Sequence, residues 1–327
     1  MNYFLDSLMR KLISNSNERI LLPFYHKISD KKNTFTKHLY TPRKIIDFKE
    51  DLAVFKKYYK PISMQEFIEI SESKVSVNKN YFHVTFDDGL SNFYKVAASM
   101  LRENNIPATI FINSDFVDNK ALFYRYKASL LYQFYKTSSQ KVKTIFYDFF
   151  EENKAIKEKL FAINFNNKEI LDDLANAVNY SFDEFLETEK PYLSSAQIEE
   201  LIDMGFTIGA HSKSHPLYSD ISFEEQVNQT KESIERLVEK FNLNSNLFAF
   251  PFTDFGVSKA FFEKLSKEKV IDVSFGTSGI KKDDFETNFQ RLSFEIGNEK
   301  AENYLLKEYL KYFLKNPLQK NIMPRDL

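Results

Sequence analysis

The sequence predicts an α/β fold, a barrel of the (β/α) type interrupted by a helical insertion. Three observations carry that expectation. Short apolar runs alternate with amphipathic helical stretches along most of the chain, giving about seven strands, most of them followed by a helix. Several runs stop abruptly at charged or polar residues, the pattern of strands that deliver chemistry at their C-terminal ends. No glycine-rich phosphate loop follows any run, and with only 7 glycines in 327 residues the chain has little material for one, which speaks against a nucleotide-binding open sheet.

Composition narrows the classes further. Hydrophobic residues make up 43% and aromatics 16%, with 34 Phe, enough for a large core. A net charge of −1 and the absence of a Lys/Arg-rich block argue against nucleic acid as a partner. With no cysteine there are no disulfides, thiolate ligands or Cys nucleophiles. No run approaches the ~18 apolar residues of a membrane span, and Asp6, Arg10 and Lys11 interrupt any signal-like apolar stretch at the start. The expected location is therefore cytoplasmic, possible contact with the inner membrane surface included. Leu5, Leu8, Met9, Leu12 and Ile13 have helical spacing, so residues 1–19 are expected to form a helix packed on the domain, with a membrane-surface helix as the alternative.

Taken in order, Ile20–His26 (ILLPFYH) is a strand ending at His26. Pro42 opens a helix to Tyr58 through Ile45, Ile46, Phe48, Leu52 and Phe55, and Pro61–Ile70 gives a brief strand and helix. Phe82–Phe86 is a strand stopped by Asp87, Asp88 and Gly89, after which Ser91 caps a helix to Asn104. Ala108–Ile112 is a buried strand, and the βαβ spacing predicts parallel neighbours. Residues 115–192 change character. They are rich in Lys, Glu, Asn and Phe, with helical periods over Ala121–Tyr135, Val142–Phe161, Lys168–Asn176 and Phe182–Glu189, and are expected to form a helical insertion, a plausible lid.

Alternation resumes at residue 193. Ser194 with Gln197, and Ser222 with Glu225, carry the capping-box pattern for helices to Met204 and Phe241. Between them Phe206–Ala210 is a strand ending at His211. Leu247–Phe250, Ile271–Phe275 and Phe289–Phe294 are further strands, Val257–Glu268 a helix, and Asn298–Leu327 a helix with a polar tail. The organisation expected is thus an N-terminal helix over 1–19, a barrel from 20–114 and 193–297, the insertion, and a C-terminal helix and tail over 298–327.

Two of the chain's five histidines, His211 and His215, stand four residues apart just past a strand, a spacing that lets both imidazoles meet one ion. With one carboxylate of the Asp87–Asp88 pair they form a set with open coordination positions, as a catalytic site requires. The second carboxylate is left as a base. Zn²⁺ is the expected single divalent ion, and Fe, Co, Ni or Mn also suit such ligands.

TFDDG at Thr85–Gly89 together with HSKSH at His211–His215 resembles the polysaccharide deacetylases (NodB-homology domain, carbohydrate esterase family 4). The resemblance covers residues 20–114 and 193–295 and implies a distorted (β/α)7-type barrel. It implies Asp87 as catalytic base, Asp88, His211 and His215 as metal ligands, and Phe248–Phe252 (FAFPF) as the third motif, leading into a substrate-groove loop at Pro251. The implied activity is hydrolysis of an N-acetyl amide on an amino sugar of a bacterial surface polysaccharide or its precursor, an N-acetylated saccharide being the partner. With no signal-like stretch, a lipid- or nucleotide-linked precursor is the favoured form. Two features depart from the pattern. FAFPF lacks the arginine that orients the base, for which Arg291 and Arg125 are the candidates. No histidine follows His215, so the acid must come from elsewhere. In members resembling poly-N-acetylglucosamine deacetylases the acid motif stands at the N-terminus, which makes His26 the expected acid. His83 is expected to be structural, and Tyr124 and Tyr126 to stack on a sugar or pack in a helix. The rival readings are hydrolysis of another C–N bond, such as a formamide or cyclic amide, and an inactive carbohydrate-binding barrel.

Overall fold

The computed structural model describes residues 3–16, 18–31, 33–73, 79–151 and 154–325. The parts of the expected elements at residues 1, 2, 17, 152, 153, 326 and 327 lie outside them. Eight short strands form one sheet: β1 Pro23–Tyr25, β2 Val84–Phe86, β3 Ala108–Ile112, β4 Thr207–Ala210, β5 Leu247–Ala249, β6 Val273–Gly276, β7 Asn288–Gln290 and β8 Leu292–Ser293. Their spatial order is β7-β6-β5-β4-β3-β2-β1-β8, and every neighbouring pair is parallel.

The two edges of that sheet are one stretch of chain, because only Arg291 separates β7 from β8. The backbone switches partner there: Arg291 N–H donates to Gly276 O at 3.2 Å, and Leu292 N–H to Leu22 O at 2.9 Å. A single kinked seventh strand therefore closes the (β/α)7-type barrel. The strand expected over Phe289–Phe294 is present but interrupted, since no straight strand can pair with both edges. The first two strands are prefaced by Ile20–Leu21 and Tyr81–Phe82, which pair with each other, the latter also with Lys60–Pro61, in a small side sheet.

Aromatic side chains fill the space between barrel and helices. Tyr25 stacks on Phe86 at 5.5 Å, Phe86 meets Phe93 edge-on at 4.8 Å, and Phe55 meets Phe294 at 4.8 Å. Each such buried ring contributes about 1.5–3 kcal/mol. The first helix, Tyr3–Asn15, buries Met9 and Ile13 in this same cluster and lies against helix Ala301–Lys315, so it packs on the domain as expected.

The insertion holds helices Tyr124–Thr137, Gln140–Phe150, Ile156–Ala162, Ile170–Ala177 and Phe182–Glu189 around their own cluster, with Leu131, Phe146, Leu160 and Leu171 fully buried. The single helix expected over Val142–Phe161 is two, because Glu151 and Ala155 take left-handed backbone (φ 51° and 59°). Ser91 is no helix cap. Its hydroxyl donates to Lys190 O at 2.9 Å, and the chain enters a π-helical turn, Phe93–Ala97, before helix Ala98–Glu103. Ile46, expected on the buried face, is 60% exposed, and its helix starts at Ile45 rather than Pro42. The Ser194–Gln197 capping box is formed reciprocally, whereas Ser222 accepts from Glu225 N–H without a return bond. Among the described residues no helix is long and apolar enough to cross a membrane.

Candidate active site

Parallel pairing sets the level at which each strand ends. Tyr25 pairs with Phe86, so His26 after β1 and Asp87 after β2 leave the sheet side by side, and Asp87 N–H donates to Tyr25 O at 2.9 Å. Ile112 pairs with Ala210, and His211 N–H donates to Ile112 O at 2.9 Å. Phe24 pairs with Ser293; carried two residues on, that register sets Glu295 beside His26. The sequence-predicted residues His26, Asp87, Asp88, His211, His215 and Arg291 thus meet at the barrel mouth.

Asp88 Oδ1 lies 3.1 Å from His215 Nε2 and 3.6 Å from His211 Nε2. One ligand atom from each of the three residues falls within 4.8 Å of the others, and all three residues are buried. His211 Nδ1–H donates to Ala249 O at 2.8 Å, which fixes the tautomer and turns the Nε2 lone pair into the cluster. Burial, opposed by the Asp87 charge, brings His211 down to about 4, so its ring is neutral. Asp88 Oδ1 and His211 Nε2 have no hydrogen-bond partner. Orphaned polar atoms in a buried site are costly, and a divalent cation fits this donor set of two imidazoles and a carboxylate. Opposing the burial that would raise it, the adjacent His215 ring, with His26 and His211 beyond it, holds the Asp88 carboxyl well below the usual range.

The backbone is strained around these donors. Asp88, Ser212 and His215 take φ of 69°, 64° and 62°, and Gly89 follows at 61°. Ser212 Oγ accepts from His215 N–H at 3.0 Å, and Gln229 Oε1 accepts from Lys213 and Ser214 N–H at 3.1 Å, which holds the HSKSH loop in that shape.

Asp87 is paired with Arg291 in a bidentate fork, Nη1 to Oδ1 at 2.6 Å and Nη2 to Oδ2 at 2.8 Å. The fully buried guanidinium also donates to Thr85 Oγ1 at 3.1 Å and lies over the rings of Phe24 (4.7 Å) and Phe111 (5.2 Å). Burial alone would raise the Asp87 pKa, but Arg291 and the neighbouring histidines hold it below the ordinary value. Arg125, the other candidate, lies over Phe252 at 5.1 Å and Tyr124 at 5.7 Å and makes no bond to Asp87. The closing kink of the barrel thus sets an arginine on Asp87, where FAFPF has none.

His26 is about a quarter exposed, with Nδ1 at 2.7 Å from Glu295 Oε2. Glu295 Oε1 accepts the His26 and Lys27 backbone N–H at 2.9 and 3.0 Å. Burial lowers the pKa of the ring, but the Glu295 charge and hydrogen bond outweigh it and raise the group to about 10. His83 lies away from this cluster, buried between Ile62 O and Thr109 Oγ1 (both 2.8 Å).

Two partners were not foreseen from the sequence. Glu295 stands just past the last strand, where the rule that located Asp87 and His211 also applies. Tyr126, from the insertion, donates its hydroxyl to Asp88 Oδ2 at 2.8 Å, opposite the orphaned Oδ1, and contacts Tyr40 OH at 3.2 Å. No local pattern marks it. Tyr124 packs within the insertion, 4% exposed. Phe123 and Phe252 wall the site, their rings 4.3 and 4.7 Å from His215.

Fold and site together define a (β/α)7-type barrel with a candidate metal centre and an arginine-paired carboxylate at its mouth. Residues 74–267, more than half of the chain, match the polysaccharide deacetylase family, and the chain belongs to it. No curated protein sequence matches the chain. Among solved structures it is similar to IcaB from Ammonifex degensii (TM-score 0.58, 14% identity, 90% of this chain and 98% of that one). It is also similar to the Streptococcus pyogenes deacetylase PplD in complex with acetate (0.57, 15%, 88% and 97%). A de-N-acetylase from Aggregatibacter actinomycetemcomitans is alike to a similar degree (0.53, 14%, 88% and 99%).

Proposed function

We propose that this protein is a metal-dependent hydrolase that removes the N-acetyl group from an amino sugar of a bacterial surface polysaccharide or its precursor. The observation that carries the reading is the Arg291–Asp87 fork set beside the orphaned donor atoms of Asp88 and His211. An inactive barrel has no need to keep a desolvated carboxylate ionised next to an open ligand set. The neighbour PplD, a deacetylase described with acetate bound, supports the same reaction class.

Asp88, His211 and His215 would hold the ion, with Zn²⁺ the first choice for this donor set. When bound, a divalent ion here supplies a Lewis acid for the acyl oxygen and lowers the pKa of a water. Asp87, kept as carboxylate and oriented by Arg291, takes one proton from the attacking water as the C–O bond forms. His26, protonated at neutral pH through Glu295, gives a proton to the sugar nitrogen as the C–N bond breaks. Water and amide are consumed; acetate and a free amino sugar leave. Phe123 and Phe252 present apolar ring surface to the side of the site where His215 lies.

The test is acetate release from N-acetylated saccharides by zinc-loaded protein, repeated after chelation and with Asp87→Asn. Release that both treatments abolish supports the reading. Metal-loaded, folded protein that frees no acetate from a broad saccharide panel would overturn it.

A further inference from the structure

A second cavity, of about 470 Å³, lies where the loop after β1, the turn after Gly89 and the end of the insertion meet. Its charged lining is Lys27, Lys31 and Lys95 against Asp30 and Glu189. Lys27 is the unusual member. It is 3% exposed, and its ammonium sits 4.5 Å over the Phe35 ring and 2.9 Å from the Asn33 amide oxygen in the orientation that satisfies both Asn33 atoms. Both contacts are uncharged, and among the described residues no carboxylate comes within ion-pair distance of it. Of the two acids, Asp30 is already engaged, accepting Ile45 N–H at 3.0 Å, and Glu189 is exposed.

Burying an ammonium without counter-charge is costly. A second ammonium stands at the rim of the same cavity: exposed Lys95, whose Nζ donates to Ser91 Oγ at 3.1 Å. Burial, and then the Lys95 charge, bring Lys27 down to about 8 against the more distant opposing charges of Glu189 and Glu295. Three ammonium groups stand against two carboxylates, one of them engaged by Ile45 N–H and the other exposed. The cavity is left an excess of positive charge around Lys27 and Lys95, which suits a phosphoryl group with its negative charge and several acceptor oxygens.

We propose that this cavity is a phosphoryl subsite, held by Lys27 and Lys95, that takes the phosphate of a phosphorylated or diphosphate-linked sugar or free inorganic phosphate. Lys27 directly follows His26, and Leu90 directly follows the Asp87–Gly89 turn, so the subsite adjoins the catalytic cluster along two chain segments. As an account of the substrate it rests on the deacetylase reading; as an anion site it does not.

The test is calorimetric titration of pyrophosphate into the full chain, Lys95→Ala and Lys27→Met. Saturable binding by the unaltered protein, weakened roughly tenfold or more in each variant, is expected. Lys95 is exposed, so its variant reports even where Lys27→Met fails to fold. No saturable binding by folded protein, or unchanged binding by Lys95→Ala, would overturn the proposal, whatever the deacetylase assay shows. Acetate release then separates the sources. If the anion belongs to the substrate, Lys95→Ala raises KM for a diphosphate-linked N-acetylamino sugar and leaves a neutral saccharide unchanged. If the anion is free phosphate, adding it alters turnover of the neutral saccharide, and Lys95→Ala removes that response.

Discussion

Glu295 grips His26 at two points, accepting its backbone N–H at 2.9 Å and standing 2.7 Å from its ring Nδ1. The ring is thereby fixed in orientation and the protonated form is favoured, with a pKa of about 10, as the proposed acid role requires. An acid must be protonated to act, so activity is present below that pKa and lost as pH rises through it. Glu295→Gln removes the charge that raises the pKa, and the alkaline limb of the kcat/KM profile should move to lower pH. His26→Ala should lower kcat by roughly 10²–10⁴-fold while metal content, read by elemental analysis, stays unchanged. An unmoved alkaline limb in Glu295→Gln would remove the acid assignment.

Arg291 acts on the opposite limb. The base must be ionised, so activity is present above the Asp87 pKa and lost as pH falls through it; Arg291 extends the active range to lower pH. Arg291→Lys keeps a cation but loses the fork, since an ammonium cannot bond both carboxylate oxygens in plane. Loss of kcat of roughly 10²-fold is expected from misplacement of the base, with the acid limb displaced to higher pH. A variant that keeps the wild-type acid limb would show that Arg291 serves only to close the barrel.

The legibility of this site from sequence follows from how local each signal is. Asp87, Asp88 and His211 end apolar strands, His215 follows in the next loop, and both motifs are contiguous, so strand periodicity alone locates them. Arg291 was legible only as one of two candidates. Choosing it over Arg125 needs the closure of the barrel, in which Asn288–Gln290 pairs with one edge strand and Leu292–Ser293 with the other. Glu295 beside His26 is a product of the same closure. Tyr126 reaches Asp88 through the tertiary fold of the insertion, 38 residues away in sequence, and helical period says only that it is buried. The break at Glu151 in the expected Val142–Phe161 helix was equally hidden, because a non-glycine left-handed residue leaves no compositional mark.

Tyr126 ties the insertion to the candidate metal ligands. Its hydroxyl occupies Asp88 Oδ2 and leaves Oδ1 as the oxygen facing the histidines. Partners of this kind typically account for 10–100-fold in metal affinity. Tyr126→Phe keeps the ring packing against Phe35 (4.9 Å) and Phe123 (5.1 Å) and removes the hydroxyl that serves Asp88 and Tyr40. Zinc affinity measured by competition with a chelating dye should fall within that range at unchanged thermal stability. Affinity equal to wild type would reduce Tyr126 to a packing residue.

Arg325 closes a second buried network at the far end of the chain. Its guanidinium donates to Asp254 O at 2.7 Å and to the carboxylates of Asp254 and Asp283, and the Asp254 carboxylate also accepts from Asn288 (2.9 Å) and Gln290 (2.6 Å). Asp254 lies two residues past Phe252, the ring beside His215, so the terminal segment Ile322–Met323, paired with Lys282–Asp283, braces the loop that walls the site. Removing one partner of such a network strands two carboxylates in the interior, a loss of about 3–5 kcal/mol out of a total stability of about 5–15 kcal/mol. Arg325→Met should therefore lower the urea midpoint at unchanged slope. With Phe252 less firmly held, KM should rise more than kcat falls, whereas a purely global effect would change only the folded fraction and leave KM unaltered.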